Sequence, residues 1–284
     1  MKYVIFLLLP FAPLACAQTG NSQPKEVAQT PPEEMLSGTA PAAATTPPVP
    51  EKVSAPAPEE KTGFTIAYIM GKFDPAKHPD FVQVDQKYAN AAGFYLRKDT
   101  YESFKKMWEA AQADGITLTI ISATRNFDRQ KKIWEDKWTG ARKIENDEDA
   151  SQAYPDPKTR ALKILEYSSM PGTSRHHWGT DIDLNDLNNH TFEQGPGKKV
   201  YDWLQQNADK FGFCQPYTPK GKNRPDGYNE EKWHWSYIPV ARHLTDLAAS
   251  SLNDEMIGGF LGAEAAVRIG VVQKYVLGIN KHCL

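Results

Sequence analysis

Residues 171–183 read PGTSRHHWGTDID, and the fold turns on how this stretch is interpreted. Gly179 and the β-branched Thr180 and Ile182 disfavour a helix, so helical periodicity does not join His176 to Asp183. The predicted course is a loop at His176 that turns at Gly179 into a strand over residues 180–184. On that strand Asp181 and Asp183 point one way, while Ile182 and Leu184 point into a core. About fifty residues on, residues 233–238 alternate like a second strand, with Trp233 and Trp235 on one side and His234 on the other. Two such strands could present His176, Asp183 and His234 to one point. Imidazole and carboxylate suit a borderline cation such as zinc, and three ligands leave a fourth tetrahedral position for water. Glu231, just before His234, is placed to take a proton from that water. Spacing alone leaves a plainer alternative open, in which surface His and Asp residues simply sit in turns.

The surrounding chain supplies elements to hold these strands. Residues 64–70 read as a short strand or extended entry, and residues 71–81 as a loop punctuated by two prolines. Asp99 and Glu102 have the spacing of a capping box. Behind them Tyr101, Phe104, Trp108 and Ala111 recur at helical spacing until Gly115. Residues 116–121, ITLTII, read as a buried strand that delivers Arg125 at its end. A helix over residues 128–138 follows. Residues 140–155 are charged and polar and read as an exposed insert. Asp156-Pro157 opens a helix running to about residue 167, since proline suits the first helical position. Residues 198–211 form an amphipathic helix closed by Gly212. Residues 215–230 are a loop rich in Gly, Pro, Asn and Lys, and residues 239–247 are helical. Residues 254–279 read as a Gly- and Ala-containing apolar helix or helix pair.

Composition narrows the function. The chain has 284 residues, with 33 Lys and Arg against 35 Asp and Glu. No basic block exceeds two consecutive residues, so the concentrated Lys/Arg face that phosphate binding needs, and with it a nucleic-acid partner, is not expected. There is no HExxH helix and no G-x-S-x-G elbow, and residues 195–198 lack the elements of a phosphate loop. Three cysteines are too few for a disulfide-stapled fold; Cys214 reads as a buried thiol or as a disulfide partner of Cys283.

The N-terminus reads as a targeting segment. Lys2, a short apolar run and Ala15-Cys16-Ala17 make a signal peptide over residues 1–17, and Cys16 is a candidate lipid-attachment site. Both outcomes, release after Ala17 or a lipid anchor at Cys16, take the chain out of the cytoplasm to the periplasm or cell envelope. Any membrane association would run through that anchor. Residues 18–62 hold nine of the 21 prolines and no aromatic residue, and read as a disordered linker. Residues 63–250 then form the functional domain, and residues 251–284 a C-terminal helical extension.

Three segments together resemble a known family. Ser174 to Asp183, SRHHWGTDID, resembles the S-x-H-x-x-G-x-A-x-D motif of the zinc D-alanyl-D-alanine carboxypeptidases, the family of VanY-type enzymes that shares a fold with the hedgehog signalling domain. Glu231 to His234, EKWH, resembles its E-x-W-H, and Ser122 to Gln130, SATRNFDRQ, its S-x-x-R-x-x-x-x-Q. The three occur in the family's order. The resemblance implies an α+β fold, with a small, mostly antiparallel sheet flanked by helices. It implies one zinc held by His176, Asp183 and His234, with Glu231 as general base and Arg125 on the substrate carbonyl or carboxylate. Ser174 and Gln130 would support the site or touch substrate. Asp181 stands where the motif has alanine, and by alternation it faces the metal side, as a partner of a ligand histidine or a contact to substrate. His177 is expected to point elsewhere. The implied substrate is a peptidoglycan stem peptide. The rivals are a non-catalytic zinc-containing cell-wall-binding lipoprotein, a purely structural lipoprotein, and an LD-carboxypeptidase or endopeptidase of the same fold.

Overall fold

The computed structural model describes residues 63–284; the signal segment, Cys16 and residues 18–62 lie outside the described residues. Where an extended entry is predicted, the chain makes a single helical turn, α1 (Ile66–Ile69). The Thr65 side chain caps it by accepting the Tyr68 N–H at 3.1 Å, and the turn buries Tyr68 and Ile69 on one side. Local capping and burial outweigh the β-branched composition there. A two-stranded antiparallel ribbon follows, β1 (Phe81–Gln83) with β2 (Tyr95–Arg97).

Helix α2 (Lys98–Ala113) starts two residues earlier than its capping signal suggests, with Arg97 and not Asp99 at the N-cap. Asp99 does not form the expected capping box. Its carboxylate accepts the Thr100 N–H and pairs with Arg97, because the guanidinium at 3.0 Å is the stronger partner. Phe104, Met107 and Ala111 are fully buried beneath it, and Trp108 only partly.

The strand predicted over residues 116–121 shrinks to β3 (Ile120–Ser122). Before it, the backbone of Thr119 pairs with Asn185 instead of a ladder: its N–H reaches the Asn185 side chain at 3.2 Å, and its carbonyl accepts the Asn185 N–H at 2.8 Å. Helix α3 (Phe127–Trp138) has Asn126 as its cap, accepting the Arg129 N–H. Residues 140–155 are less exposed than their polarity predicts. Ile144 and Ala150 are buried, and the segment carries a short helix, α4 (Ala150–Ala153). Helix α5 (Pro157–Ile164) begins at Asp156 as expected, and that carboxylate accepts the Thr159 N–H at 2.8 Å.

The central sheet is β3, β4 (Asp181–Leu184), β6 (His234–Tyr237) and β5 (Phe213–Cys214), in that spatial order and antiparallel throughout. The architecture is thus the expected α+β class. Ser122 pairs with Asp183 and Asp183 with His234, so three polar residues form one row across the sheet. Between Ile120 and Ser122 the register shifts, and this irregularity brings Ser122 opposite Asp183. One sheet face, with Ile120, Ile182, Leu184 and Trp235, packs with α2 and with α6 (Gly195–Asn207). The other face carries Asp181, Asp183 and His234.

A second core gathers Trp134, Trp138, Ile164, Met170 and Trp178 with helix α7 (Ile238–Ser251). The chain after α7 is not the predicted long helix or pair. It is broken into single turns, one short helix α8 (Ala265–Ile269) and one π turn. Gly259, Gly262 and Gly270 take φ of 86°, 77° and 77°, which reverse the chain where a helix would continue. At Gly262 a Cβ would also overlap the Trp138 ring. Ala266, Ile269, Val271 and Val276 enter the second core. Of the two readings open for Cys214, the structure forms the disulfide with Cys283.

Candidate active site

The segment at residues 171–183 takes the predicted course. It makes a tight turn over Arg175–His177, reverses at Gly179 and enters β4. Gly179 has φ of 77°, and a Cβ there would run into the Phe81 ring. His176, on the turn, and Asp183 and His234, on adjacent strands, come together with ligand atoms all within 4.8 Å of one another. His176 Nε2 lies 3.3 Å from Asp183 Oδ2, and His234 Nδ1 lies 3.2 Å from Asp183 Oδ1.

The free atoms suit a metal ion. His176 Nδ1–H donates to the Ala123 carbonyl at 3.0 Å, which leaves Nε2 as a lone pair facing Asp183. Asp183 Oδ1 is buried and accepts no hydrogen bond. Two donors about 2.0–2.1 Å from a tetrahedral zinc are separated by about 3.3 Å, which is the spacing of each histidine from its Asp183 oxygen. Three carboxylates surround His234: Asp181 at 2.8 Å, Asp183 at 3.2 Å and Glu231 at 3.3 Å. Despite its burial, they hold the ring's pKa well above the usual range, so this place calls for a positive charge. The nitrogen, nitrogen and oxygen donor set is one that zinc accepts.

Burial pushes His176 down to about 4, with the Arg125 charge adding to the effect, so it presents a neutral ring. Burial also works to raise the Asp183 carboxyl, but His176 and His234 together hold it well below the carboxylate range. Glu231 is moved the other way: burial raises its pKa against the opposing pull of His234. A carboxylate raised in this way is a better proton acceptor.

Arg125 stands just past β3 with its guanidinium aimed along the row of site residues. Nη1 donates to Ser122 Oγ at 2.6 Å and lies 3.6 Å from Asp183 Oδ2. Nε donates to Gln130 Oε1 at 2.9 Å, and Gln130 Nε2 in turn donates to the Ser169 carbonyl at 2.8 Å. Ser174 lies in the same cleft, and its Oγ is buried without a hydrogen-bond partner. Asp181 is fully buried and accepts from His234 Nε2. His177 turns away from the site. Its Nε2 accepts the Gly172 N–H at 3.0 Å while Nδ1–H donates to the Arg125 carbonyl at 2.6 Å, so it braces the two loops.

The site opens into a cleft of about 990 Å³ lined by residues 142–146, 166–169, 187–190 and 228–231, among others. Several contributors escaped the reading of the sequence. Arg175 donates to Asp181 at 3.1 Å, although its place inside the motif, between Ser174 and His176, was a usable signal. Ser122 opens the S-x-x-R segment, but its bond to Arg125 depends on sheet register; Lys137, which lines the cleft and donates to Ser168 Oγ at 2.8 Å, gave no signal, because its place depends on which side of its helix faces the cleft. The Tyr217 ring lies against His234 at 4.8 Å between centroids, from a loop with no periodicity to read.

A buried His–Asp–His triad, with a carboxylate and a guanidinium converging on it from an open cleft, is the layout of a metal-dependent hydrolase. The family model VanY, described as D-alanyl-D-alanine carboxypeptidase, matches residues 93–240, and the chain belongs to that family. It is 29% identical over 134 residues to the D-alanyl-D-alanine carboxypeptidase of Enterococcus faecalis, an alignment that covers 47% of this chain and 45% of the relative. The chain therefore spans less than half the length of that curated relative. Among solved structures it is similar to VanYB in complex with D-alanine-D-alanine, with 24% identity, a TM-score of 0.45, and 63% of this chain and 87% of the other covered. It is also similar to the LdcB LD-carboxypeptidase, with 23% identity, a TM-score of 0.46, and 72% and 81% covered.

Proposed function

We propose that the protein is a zinc-dependent carboxypeptidase that removes the terminal D-alanine from peptidoglycan stem peptides. The observation that carries this reading is the convergence of His176 Nε2, the Asp183 carboxylate and His234 Nδ1, with Glu231 Oε2 3.3 Å from that last nitrogen. The membership of residues 93–240 in the carboxypeptidase family supports the substrate class. Zinc held by those three residues would supply Lewis acidity at the scissile carbonyl and lower the pKa of a bound water.

Within that frame the chain's own residues divide the work. Glu231 takes a proton from the attacking water, whose oxygen bonds to the scissile carbon. It returns the proton to the amine nitrogen as the carbon–nitrogen bond breaks. Arg125 donates hydrogen bonds to the carbonyl oxygen as negative charge grows there, and Ser122 and Gln130 hold its fork in place beforehand. Asp181 fixes the ring of His234. Gln130 supports Arg125, and Ser174 Oγ, beside the cleft with no hydrogen-bond partner, is the group left to contact the peptide.

Export to the cell envelope, by release after the signal peptide or by a lipid anchor at Cys16, completes the reading. The Cys214–Cys283 disulfide suits an oxidising compartment outside the cytoplasm. Mass spectrometry of a muropeptide digest is the decisive test. Loss of one D-alanine from pentapeptide stems is expected. Loss from tetrapeptide stems would make the enzyme an LD-carboxypeptidase, and cleavage of cross-links an endopeptidase. Stoichiometric zinc without cleavage of any muropeptide would leave only a zinc-containing binding module.

A further inference from the structure

Asp181 is placed unlike any other carboxylate among the described residues. Its side chain is wholly buried, and four donors surround it. Oδ1 accepts from Thr180 Oγ1 at 2.7 Å and from Ser236 Oγ at 2.8 Å. Oδ2 accepts from His234 Nε2 at 2.8 Å and from Arg175 Nε at 3.1 Å. A carboxylate with all four lone-pair sites taken has no freedom to rotate.

Arg175 is the group that organises this cage. Its side chain is wholly buried, and every nitrogen of the guanidinium is used. Nε reaches Asp181, Nη2 donates to Ser236 Oγ at 2.8 Å, and Nη1 donates to Thr245 Oγ1 at 3.0 Å. Ser236 relays its contact, accepting from Arg175 and donating to Asp181. Thr245 passes the remaining tie into α7 by donating to the Ala241 carbonyl at 2.8 Å. The plane of the guanidinium lies over the Trp178 ring, 4.5 Å from its centroid. One arginine thus links the His176 turn, strands β4 and β6, and helix α7.

A buried ion pair is a weak source of stability, because apolar residues of the same volume serve as well or better. The pair sits instead where a ligand histidine needs an oriented acceptor. A metal-binding imidazole binds through one nitrogen only if its other N–H is held, and that partner sets both ring orientation and basicity.

We infer that Arg175 is a positioning residue: it locks Asp181 as the acceptor for the His234 Nε2 proton, and so keeps the Nδ1 lone pair of His234 turned toward Asp183 and Glu231. The inference rests on the zinc reading of the site and adds a device for zinc affinity. Asp181 does not line the cleft, the Arg175 side chain is wholly buried behind it, and none of their hydrogen bonds goes to the three ligand atoms. Their hydrogen bonds reach the ligand set through the His234 ring.

The test compares zinc affinity, by competition with a chromophoric chelator, and thermal stability in the full chain. Arg175→Met combined with Asp181→Ala removes both charges, so no unpaired ion stays buried. Zinc affinity should fall about 10- to 100-fold. The His234 Nε2 proton, expected as a slowly exchanging downfield resonance in the zinc-loaded wild type because Asp181 accepts it, should disappear. Arg175→Lys is the milder variant. It keeps the charge but cannot hold Asp181, Ser236 and Thr245 at once, so affinity should fall less, with the fold intact. Wild-type zinc affinity in either variant, or an unchanged Nε2 resonance in the double variant, overturns the inference while leaving the peptidase reading in place. A wild-type protein that binds no zinc overturns both.

Discussion

Arg125 is worth following atom by atom, because its position comes from its neighbours and not from its own backbone. Ser122 and Gln130 each take one donor of its fork, and Gln130 is itself held by the Ser169 carbonyl. A guanidinium oriented before substrate arrives loses little freedom on binding a developing oxyanion. Gln130→Ala is therefore expected to lower kcat by about 10- to 100-fold, since small misplacements of a catalytic group cost that much. Zinc content should be unchanged by metal analysis, while the melting temperature falls somewhat because the part-buried Ser169 carbonyl loses its donor. Glu231→Gln keeps the shape of the side chain and removes its capacity to accept a proton. Turnover of a muropeptide should fall by about 10²- to 10⁴-fold with zinc still bound at one per chain. Full activity in that variant would eliminate Glu231 as the base.

At the scale of elements, α3 and the segment after it shape the cleft wall. Trp134 on α3 is fully buried, stacks near Trp138 with centroids 6.1 Å apart, and donates to the Leu261 carbonyl at 2.8 Å. Trp134→Ala should cost about 3–5 kcal/mol in urea unfolding, while Trp134→Phe keeps most of the packing. Asp149 anchors the neighbouring segment. Its carboxylate accepts from Ser151 and pairs with Lys143 at 3.1 Å, and the Ser151 hydroxyl and then Lys143 hold its pKa down to about 2. The folded value lies below the ordinary value near 3.9, so its contribution is complete above about pH 4 and is lost as pH falls toward 2. Protection from hydrogen exchange across residues 140–153, taken relative to the intrinsic rate at each pH, should fall over that window in the wild type. Asp149→Asn should exchange fast already at neutral pH and show no such step. Much of this architecture could be read from local chemistry: the helix start at Asp156, the strand carrying Asp181 and Asp183, and the turn at Gly179. The burial of Ile144 and Ala150 within residues 140–155 could not, because they find their partners only in tertiary packing. The glycines after residue 254 misled for a related reason. The same residue permits close helix packing or a chain reversal, and only φ separates the two.

In the described molecule as a whole, the site is assembled from strands far apart in sequence, and one covalent link bears on its far wall. Asp183 and His234 meet by sheet register, which alternation can suggest but pairing alone decides. Beside β6, Cys214 on β5 is joined to Cys283 near the C-terminus, at a sequence separation of 69. Closing a loop of that size in the unfolded chain corresponds to about 4 kcal/mol of stabilisation in the chain-entropy description. The link also reaches toward the chemistry. Gln215, the next residue, donates from Nε2 to the carbonyls of both Tyr217 and Glu231, while its own carbonyl accepts from the Asn280 side chain at 3.2 Å. The Asn280 N–H is donated to the Pro216 carbonyl at 2.8 Å, so the C-terminal turn braces the loop that presents Glu231. Replacing both cysteines by serine should lower unfolding stability by about 2–5 kcal/mol in urea titration. It should also reduce kcat more than it raises KM, because His176, Asp183 and His234 stay where they are while Glu231 gains freedom. Stability that falls with kcat unchanged would show that the disulfide holds the fold alone, and that Gln215 and Asn280 position Glu231 without it.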